Sequence, residues 1–237
     1  KGIFSKIWLK FIGCEPVDVK YHGIKLRLIP AGNTIESKIL FGSRLREEEE
    51  LQHIKAKIVD GVFFDIGANI GYYSLMAAKY GASHIVAFEP NPELAKRCRL
   101  NIELNQLSDR IELLEVALGE KNGTVNLKLD DVDLGSSSIV SDVRGARDIV
   151  VPIVTLSEVV TKMDMPQIDV LKIDVEGMED RILKPFFLTA QKSMLPKMVI
   201  IEDSSKSVWD WDIIDWMLLN DYTVEGHSRG NLILVRG

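Results

Sequence analysis

The sequence predicts an α/β fold built on a largely parallel sheet with helices on both faces. Three observations carry that expectation. From Val62 onward, apolar runs of strand length alternate with helix-like segments, the pattern of successive βαβ units. The run Val62-Phe63-Phe64-Asp65-Ile66-Gly67-Ala68-Asn69-Ile70-Gly71 ends on an acid and passes through a D-x-G-x-N-x-G turn into the helical residues 72–78. One βα unit later a second run, His84-Ile85-Val86-Ala87-Phe88-Glu89, again ends on an acid. The 237 residues, 46% of them hydrophobic, suffice to bury one sizeable core.

In chain order, residues 3–12 interleave Lys6 and Lys10 with large apolar residues including Trp8. Two readings fit this stripe: an interfacial helix giving peripheral membrane contact through residues 1–13, or a face packed on the protein's own core or a partner subunit. Residues 17–21 and 24–29 alternate at period two around His22-Gly23 and predict a hairpin. Glu47 to Glu50 lead into residues 51–59, with acids first and lysines last; this matches the helix dipole and reads as a solvated face. Residues 1–60 are therefore expected to form a helix, hairpin and lid extension to a catalytic domain of residues 61–237.

The turn after the first parallel strand is the most informative segment. Glycine lacks Cβ and adopts positive φ, so backbone here can approach a ligand closely. A tight strand-to-helix turn in any α/β protein is the competing reading. Asp65 opposes a diphosphate and suits a cationic ligand such as an α-ammonium or a sulfonium. Glu89, at the end of the second strand, is placed to accept hydrogen bonds from both hydroxyls of an adenosine ribose. Pro90, Asn91 and Pro92 stop that strand and open a helix, with Asn91 as N-cap and Pro92 at its first position.

Residues 94–104 then read as helix, 111–117 as a third strand and 124–129 as an extended excursion. Residues 130–147 lack periodicity and are rich in Asp, Ser and Gly; the segment is either a solvated loop or, through Ser136, Ser137 and Ser138, part of the acceptor site. Ile168, Val170, Leu171 and Ile173 make a buried strand with Lys172 and Asp174 at its carboxyl end, where open α/β sheets bind ligands. Gly177 permits a sharp turn, and Glu176 and Glu179 fall on the first turn of the next helix. Residues 198–201 form a strand ending in Glu202 and Asp203, and residues 207–220 a helix whose Trp211 and Trp216 pack on the core. Residues 222–225 and 231–235 close the chain as an antiparallel hairpin, with His227 at its tip.

Asp65 to Gly71, Phe88-Glu89-Pro90-Asn91-Pro92, Val116-Ala117-Leu118-Gly119 and, above all, Ile168-Asp169-Val170-Leu171-Lys172-Ile173-Asp174-Val175-Glu176-Gly177-Met178-Glu179 resemble the FkbM family of S-adenosylmethionine-dependent methyltransferases. The resemblance runs from about Val62 to the C-terminus. It implies a Rossmann-like class I methyltransferase fold with a mostly parallel seven-stranded sheet and a C-terminal antiparallel hairpin. It also implies O-methylation of a hydroxyl on a sugar, a glycolipid or polysaccharide, or a natural product. S-adenosylmethionine, leaving as S-adenosylhomocysteine, would then contact Asp65, Gly67, Ala68, Asn69, Gly71, Glu89, Pro90, Asn91, Ala117, Leu118 and Asp174, with residues 115–118 beside the adenine. Lys172, Asp174, Glu176 and Glu202 are the candidate catalytic residues: Asp174 or Glu176 to orient or deprotonate the acceptor, Lys172 to steady the carboxylates.

Other classes are weighed against this one. A ribose 2′-O RNA methyltransferase shares a lysine and acids near the donor, but a net charge of −6 and the lack of a basic stripe oppose nucleic acid as a partner. A non-catalytic or NAD-binding Rossmann-like domain tolerates Asp65 less well. A divalent metal on Asp174, Glu202, Asp203 and His227 is conceivable but not favoured over metal-free transfer. Cys14 and Cys98 are too few for a disulfide framework or a zinc site and read as reduced thiols. With no apolar run of membrane-spanning length, a cytoplasmic, optionally membrane-associated location is expected. The acceptor's identity, the oligomeric state and what precedes Lys1 are left open.

Overall fold

The computed structural model describes residues 15–30, 32–41, 47–130, 133–137, 139, 147–164, 167–228 and 230–237. The predicted N-terminal stripe, Cys14 and Ser138 lie outside them.

A seven-stranded sheet organises the chain. Its order is β11 (Tyr222–Ser228), β12 (Asn231–Arg236), β10 (Met198–Glu202), β9 (Val170–Ile173), β3 (Val62–Ile66), β4 (His84–Phe88) and β5 (Ile111–Leu114). The run from β10 to β5 pairs in parallel, and β12 joins antiparallel to β10 and to β11. The predicted architecture is thus the observed one. Parallel strands covered on both faces must be apolar on both, and Phe63 and Phe64 show why β3 is apolar on both faces up to Asp65. Phe63 packs with α2 (Glu48–Lys57), α3 (Tyr72–Lys79) and α4 (Pro92–Leu104), whereas Phe64 packs with α5 (Leu156–Lys162), α6 (Glu179–Thr189) and α7 (Ile213–Leu219). A second sheet holds β6 (Ala117–Leu118), β8 (Arg147–Val154) and β7 (Gly123–Leu129) in that order.

The N-terminal hairpin of β1 (Val17–Tyr21) and β2 (Ile24–Leu28) forms as predicted, Val17 opposite Leu28 and Tyr21 opposite Ile24. It is tied to α4 and its C-cap: the Asn105 and Asn101 side chains accept from the N–H groups of Lys25 (2.9 Å) and Arg27 (2.7 Å). Ile24, Leu26 and Leu28 enter the main core. The helix α1 (Thr34–Leu40) follows, capped by Asn33 and anchored by buried Glu36, which pairs with Arg97.

Several expectations are corrected. The Glu47 to Glu50 run is solvated only in part: Glu48 is exposed, but Glu50 is 0% exposed and accepts from Ser228 Oγ and from Asn231 Nδ2 at 3.0 Å, so its charge is met by the C-terminal hairpin. The third strand stops at Leu114, and Ala117–Leu118 pairs with Ile153 and Val154 in the second sheet. Within the predicted helix 207–220 only Ile213–Leu219 is α-helical, because Asp212 caps it by accepting from Asp215 N–H at 3.1 Å. His227 is not at a hairpin tip but within β11, opposite Leu232, the strand being prolonged past a bulge between Val224 and Gly226. Glu176 precedes α6, with φ +56, instead of lying on its first turn. The elements α1, β8 and α5 had no counterpart in the sequence reading.

Candidate active site

The site grows out of the turn between β3 and α3. The N–H groups of Gly67 and Ala68 both donate to Phe88 carbonyl, at 3.0 and 2.9 Å, which folds the turn back over the end of β4. Gly67 has φ +82, and a Cβ there would sit 2.0 Å from the carbonyl oxygen of Asp174. The loops after β3 and β9 can meet only because position 67 is bare. Asn69 N–H donates to Glu89 Oε2 at 2.8 Å and Asn91 N–H to Glu89 Oε1 at 2.9 Å. Both carboxylate oxygens are therefore fixed by backbone at the end of β4, while Asn91 also caps α4 by accepting from Glu93 N–H. Burial nevertheless outweighs these bonds and pushes the Glu89 carboxyl up to about 7.

Asp65 is not part of this wall. It is 0% exposed and takes Ser74 N–H (3.0 Å) and Ser74 Oγ–H (2.6 Å) on Oδ2, which pins the first turn of α3. Its Oδ1 is buried with no partner among the described residues. Lys172, 4% exposed, reaches Asp174 Oδ2 at 3.4 Å and Gly67 carbonyl at 3.5 Å and lies 5.0 Å above the Tyr73 ring. Burial alone lowers the lysine's pKa, but Asp174, Asp65 and Glu47 together raise it above the ordinary value. The lysine is a buried cation held among three carboxylates.

Around these residues lies a cavity of about 290 Å³ at the carboxyl ends of β3, β4 and β9. Ile66, Phe88, Ala117, Leu118, Leu134 and Met178 give it apolar walls, and Gly67 to Ile70 line it with backbone. Its ionisable lining is unequal: Glu47, Glu89, Asp133, Asp174 and Glu176 against Lys38 and Lys172. Such a cavity favours a cationic occupant over a diphosphate. Thr34 and Leu134 close one side together, since Thr34 N–H and Oγ1–H donate to the Asp133 carboxylate and Leu134 N–H donates to Gly32 carbonyl at 2.9 Å.

With this geometry in place, comparison with known proteins decides the family. The model of the methyltransferase FkbM domain matches residues 65–224, well over half of the chain and the whole of the cavity's glycine turn, Glu89 and Lys172. The chain belongs to the FkbM methyltransferase family. Methyltransferase sdnD of Sordaria araneosa is 30% identical over 51% of this chain and 58% of its own length. Hexuronic acid methyltransferase AglP of Haloferax volcanii is 29% identical over 53% of this chain and 49% of its own. The chain thus spans about half the length of the curated relatives it matches. The crystal structure of methyltransferase FkbM from Methylobacillus flagellatus superposes with a TM-score of 0.53 at 12% identity, covering 84% of this chain and 65% of that one, and shares its fold.

In this FkbM domain, Gly67, Ala68, Asn69, Glu89, Pro90, Ala117, Leu118, Lys172, Asp174 and Glu176 all line the cavity. Asp65, Gly71, Asn91 and Glu202 do not, and each has another place. Gly71 begins α3 at φ +84, with Cys98 Sγ where a Cβ would go. Glu202 accepts from Ser204, and its Oε2 is buried without a partner among the described residues. Glu179 is structural: it accepts from the N–H groups of Val175 and Gly177 and from Trp209 Nε1–H at 2.9 Å, bracing the loop that carries Glu176. Ser137 lines the cavity but donates to Leu134 carbonyl. Asp203 and His227 approach to 3.7 Å, and the described residues contain no group of three or more His, Cys, Asp or Glu placed to hold a metal ion. No helix among them is long and apolar enough to cross a membrane. Sequence reasoning missed Thr34, Lys38, Glu47, Tyr73 and Asn231 in the lining.

One pH dependence follows. Burial raises Glu47, Glu89 and Glu202 to about 7. A carboxyl raised in the folded state binds its proton more tightly there than in the unfolded chain. Its contribution to stability is complete below the ordinary value and is lost as pH rises through about 7. Urea unfolding of the ligand-free protein is expected to show stability falling between pH 5 and 8 by a few kcal/mol, because each tenfold gain in proton affinity is worth about 1.4 kcal/mol. Stability constant or rising over that interval would contradict it.

Proposed function

We propose that this chain transfers a methyl group from S-adenosylmethionine to a hydroxyl of a sugar or a similar polyhydroxylated acceptor. The observation that carries the donor assignment is Glu89, held by the backbone of Asn69 and Asn91 at the end of the second parallel strand, in a cavity where acids outnumber lysines. A carboxylate so placed suits a ribose diol, and the excess of acids suits a donor that carries ammonium and sulfonium charge. Gly67 to Asn69 would lie along the donor, Pro90, Ala117 and Leu118 beside its base, and Asp174 near its charged end. When bound, the donor supplies an electrophilic methyl carbon and a neutral thioether leaving group.

Lys172, Asp174 and Glu176 have the task of placing the acceptor. Bringing acceptor oxygen and methyl carbon together in line accounts for much of the acceleration in such a displacement. No step of this reading needs a metal. The relative named as a hexuronic acid methyltransferase supports a sugar acceptor, and the net charge of −6 speaks against an RNA ribose. A nicotinamide dinucleotide would bring its diphosphate against the cavity's acids.

Isothermal titration tests the donor. S-adenosylhomocysteine is expected to bind and NAD not to bind, with Glu89→Gln weakening S-adenosylhomocysteine about 10- to 100-fold through loss of charge-assisted hydrogen bonds. A bound ribose diol prefers the ionised carboxylate, so wild-type affinity is expected to rise with pH through about 7 and the variant's to stay flat. No heat with S-adenosylhomocysteine at any pH would sink the proposal.

A further inference from the structure

Glu47 lies before the segment 65–224 that defines the family, yet it lines the cavity. Resting on the methyl-transfer reading above, the geometry points to Glu47 as the catalytic residue that takes the proton from the acceptor hydroxyl.

Sheet order divides the cavity. Glu89 ends β4, and Asn231, at the start of β12, lies four strands away in the order β4, β3, β9, β10, β12, roughly 19 Å at ordinary strand spacing. A donor whose ribose is at Glu89 leaves the side from β9 to β12 for the acceptor. Glu47 belongs to that side. It shares the cavity lining with Lys38, Tyr72, Tyr73, Lys172 and Asp174, and Glu50 stands one turn further along its own helix.

Among the described residues the carboxylate is also uncommitted. Glu47 occupies the N-cap of α2 but makes no side-chain capping bond, and its Oε2 is buried without a partner among the described residues. Its helix is anchored, because Glu50, one turn on, is bonded to Ser228 and Asn231 of the C-terminal hairpin. Asn231 Oδ1, on the same wall, is a second buried acceptor without a described partner. A polyhydroxylated molecule supplies donors for both. Burial holds the Glu47 carboxyl at about 7, with Lys172 and Lys38 pulling it down and Glu50 and Asp174 pushing it up, the range in which a carboxylate serves as a base near neutral pH. Asp174, by contrast, is ion-paired to Lys172.

The step balances simply. The acceptor oxygen forms a bond to the methyl carbon as the carbon–sulfur bond breaks and its electron pair stays on sulfur. The hydroxyl proton passes to a Glu47 carboxylate oxygen and leaves to water after product release.

The test offers S-adenosylmethionine, tritiated on the methyl group and saturating, with D-glucuronic acid, D-galacturonic acid or D-glucose. Wild type is expected to label at least one, with kcat rising through about pH 7. Glu47→Gln is expected to bind S-adenosylhomocysteine with the wild-type Kd, to lower kcat about 100-fold or more, and to lose that rise. In the ligand-free protein the same variant should lose part of the fall in Tm between pH 5 and 8. Unchanged kcat, weakened S-adenosylhomocysteine binding, or a Tm profile superimposable on wild type overturns the role of Glu47 and leaves the methyl-transfer reading standing. Wild type that labels none of the three overturns the sugar-hydroxyl reading and this one with it.

Discussion

Gly67→Ala is expected to cost roughly 3–5 kcal/mol of stability, while Gly32→Ala costs only about 1–2. Both glycines have nearly the same backbone conformation, φ +82 and +77. The left-handed strain on an alanine is therefore common to the two variants. They differ in what a Cβ meets: nothing within 4 Å at Gly32, and the Asp174 carbonyl oxygen at 2.0 Å at Gly67. Relief requires the loop after β9 to move off the turn after β3, and that separation would open the wall between Lys172 and the glycine turn. Urea midpoints of the two variants, with S-adenosylhomocysteine titrations of whatever remains folded, read the difference directly. Equal losses would mean that the close approach is not what fixes glycine at position 67.

Lys172→Met is expected to be destabilising by about 3–5 kcal/mol at pH 8 and by clearly less at pH 5. Methionine keeps most of the side chain's length and packing, so the loss isolates charge. Lys172 lowers the carboxyl pKa of both Asp65 and Glu47, working against their burial. Without it those carboxyls shift further upward. A group raised in the folded state is fully compatible with folding while protonated and loses stability as pH rises through its folded value. The deficit must therefore grow from acid to alkali. Urea unfolding at the two pH values checks this, and a loss that is the same at both would reduce Lys172 to a packing residue.

Much of this arrangement is legible in the sequence. Apolar runs that end on Asp65, Glu89 and Asp174 mark strand ends of a parallel sheet, and such ends converge on one edge by topology alone. Asn91 and Pro92 announce their helix by cap chemistry. The missed elements are short or depend on distant partners: α1 and α5 have seven residues each, and β8 exists by pairing with β7 and β6. Glu47 was hidden in a run of four acids that reads as solvated. Its signal was periodicity: Glu47, Glu50, Leu51 and Ile54 share one helical stripe, and an acid on an apolar stripe is carried toward the core with its neighbours. Asp65 shows a different side of the same problem. Sequence placed it against a ligand, and the structure spends it on Ser74 and the start of α3.

The bonds from Glu50 to Ser228 and Asn231 also bear on how such a protein could be re-engineered. Exchanging acceptor preference between relatives by grafting the N-terminal segment alone would import one half of a knot whose other half stays behind. The transplanted helix would bring a carboxylate without its hydroxyl and amide donors, and the wall it builds would lose its footing. A workable chimera must carry residues 47–57 and 222–236 as a single cassette, although most of the chain lies between them.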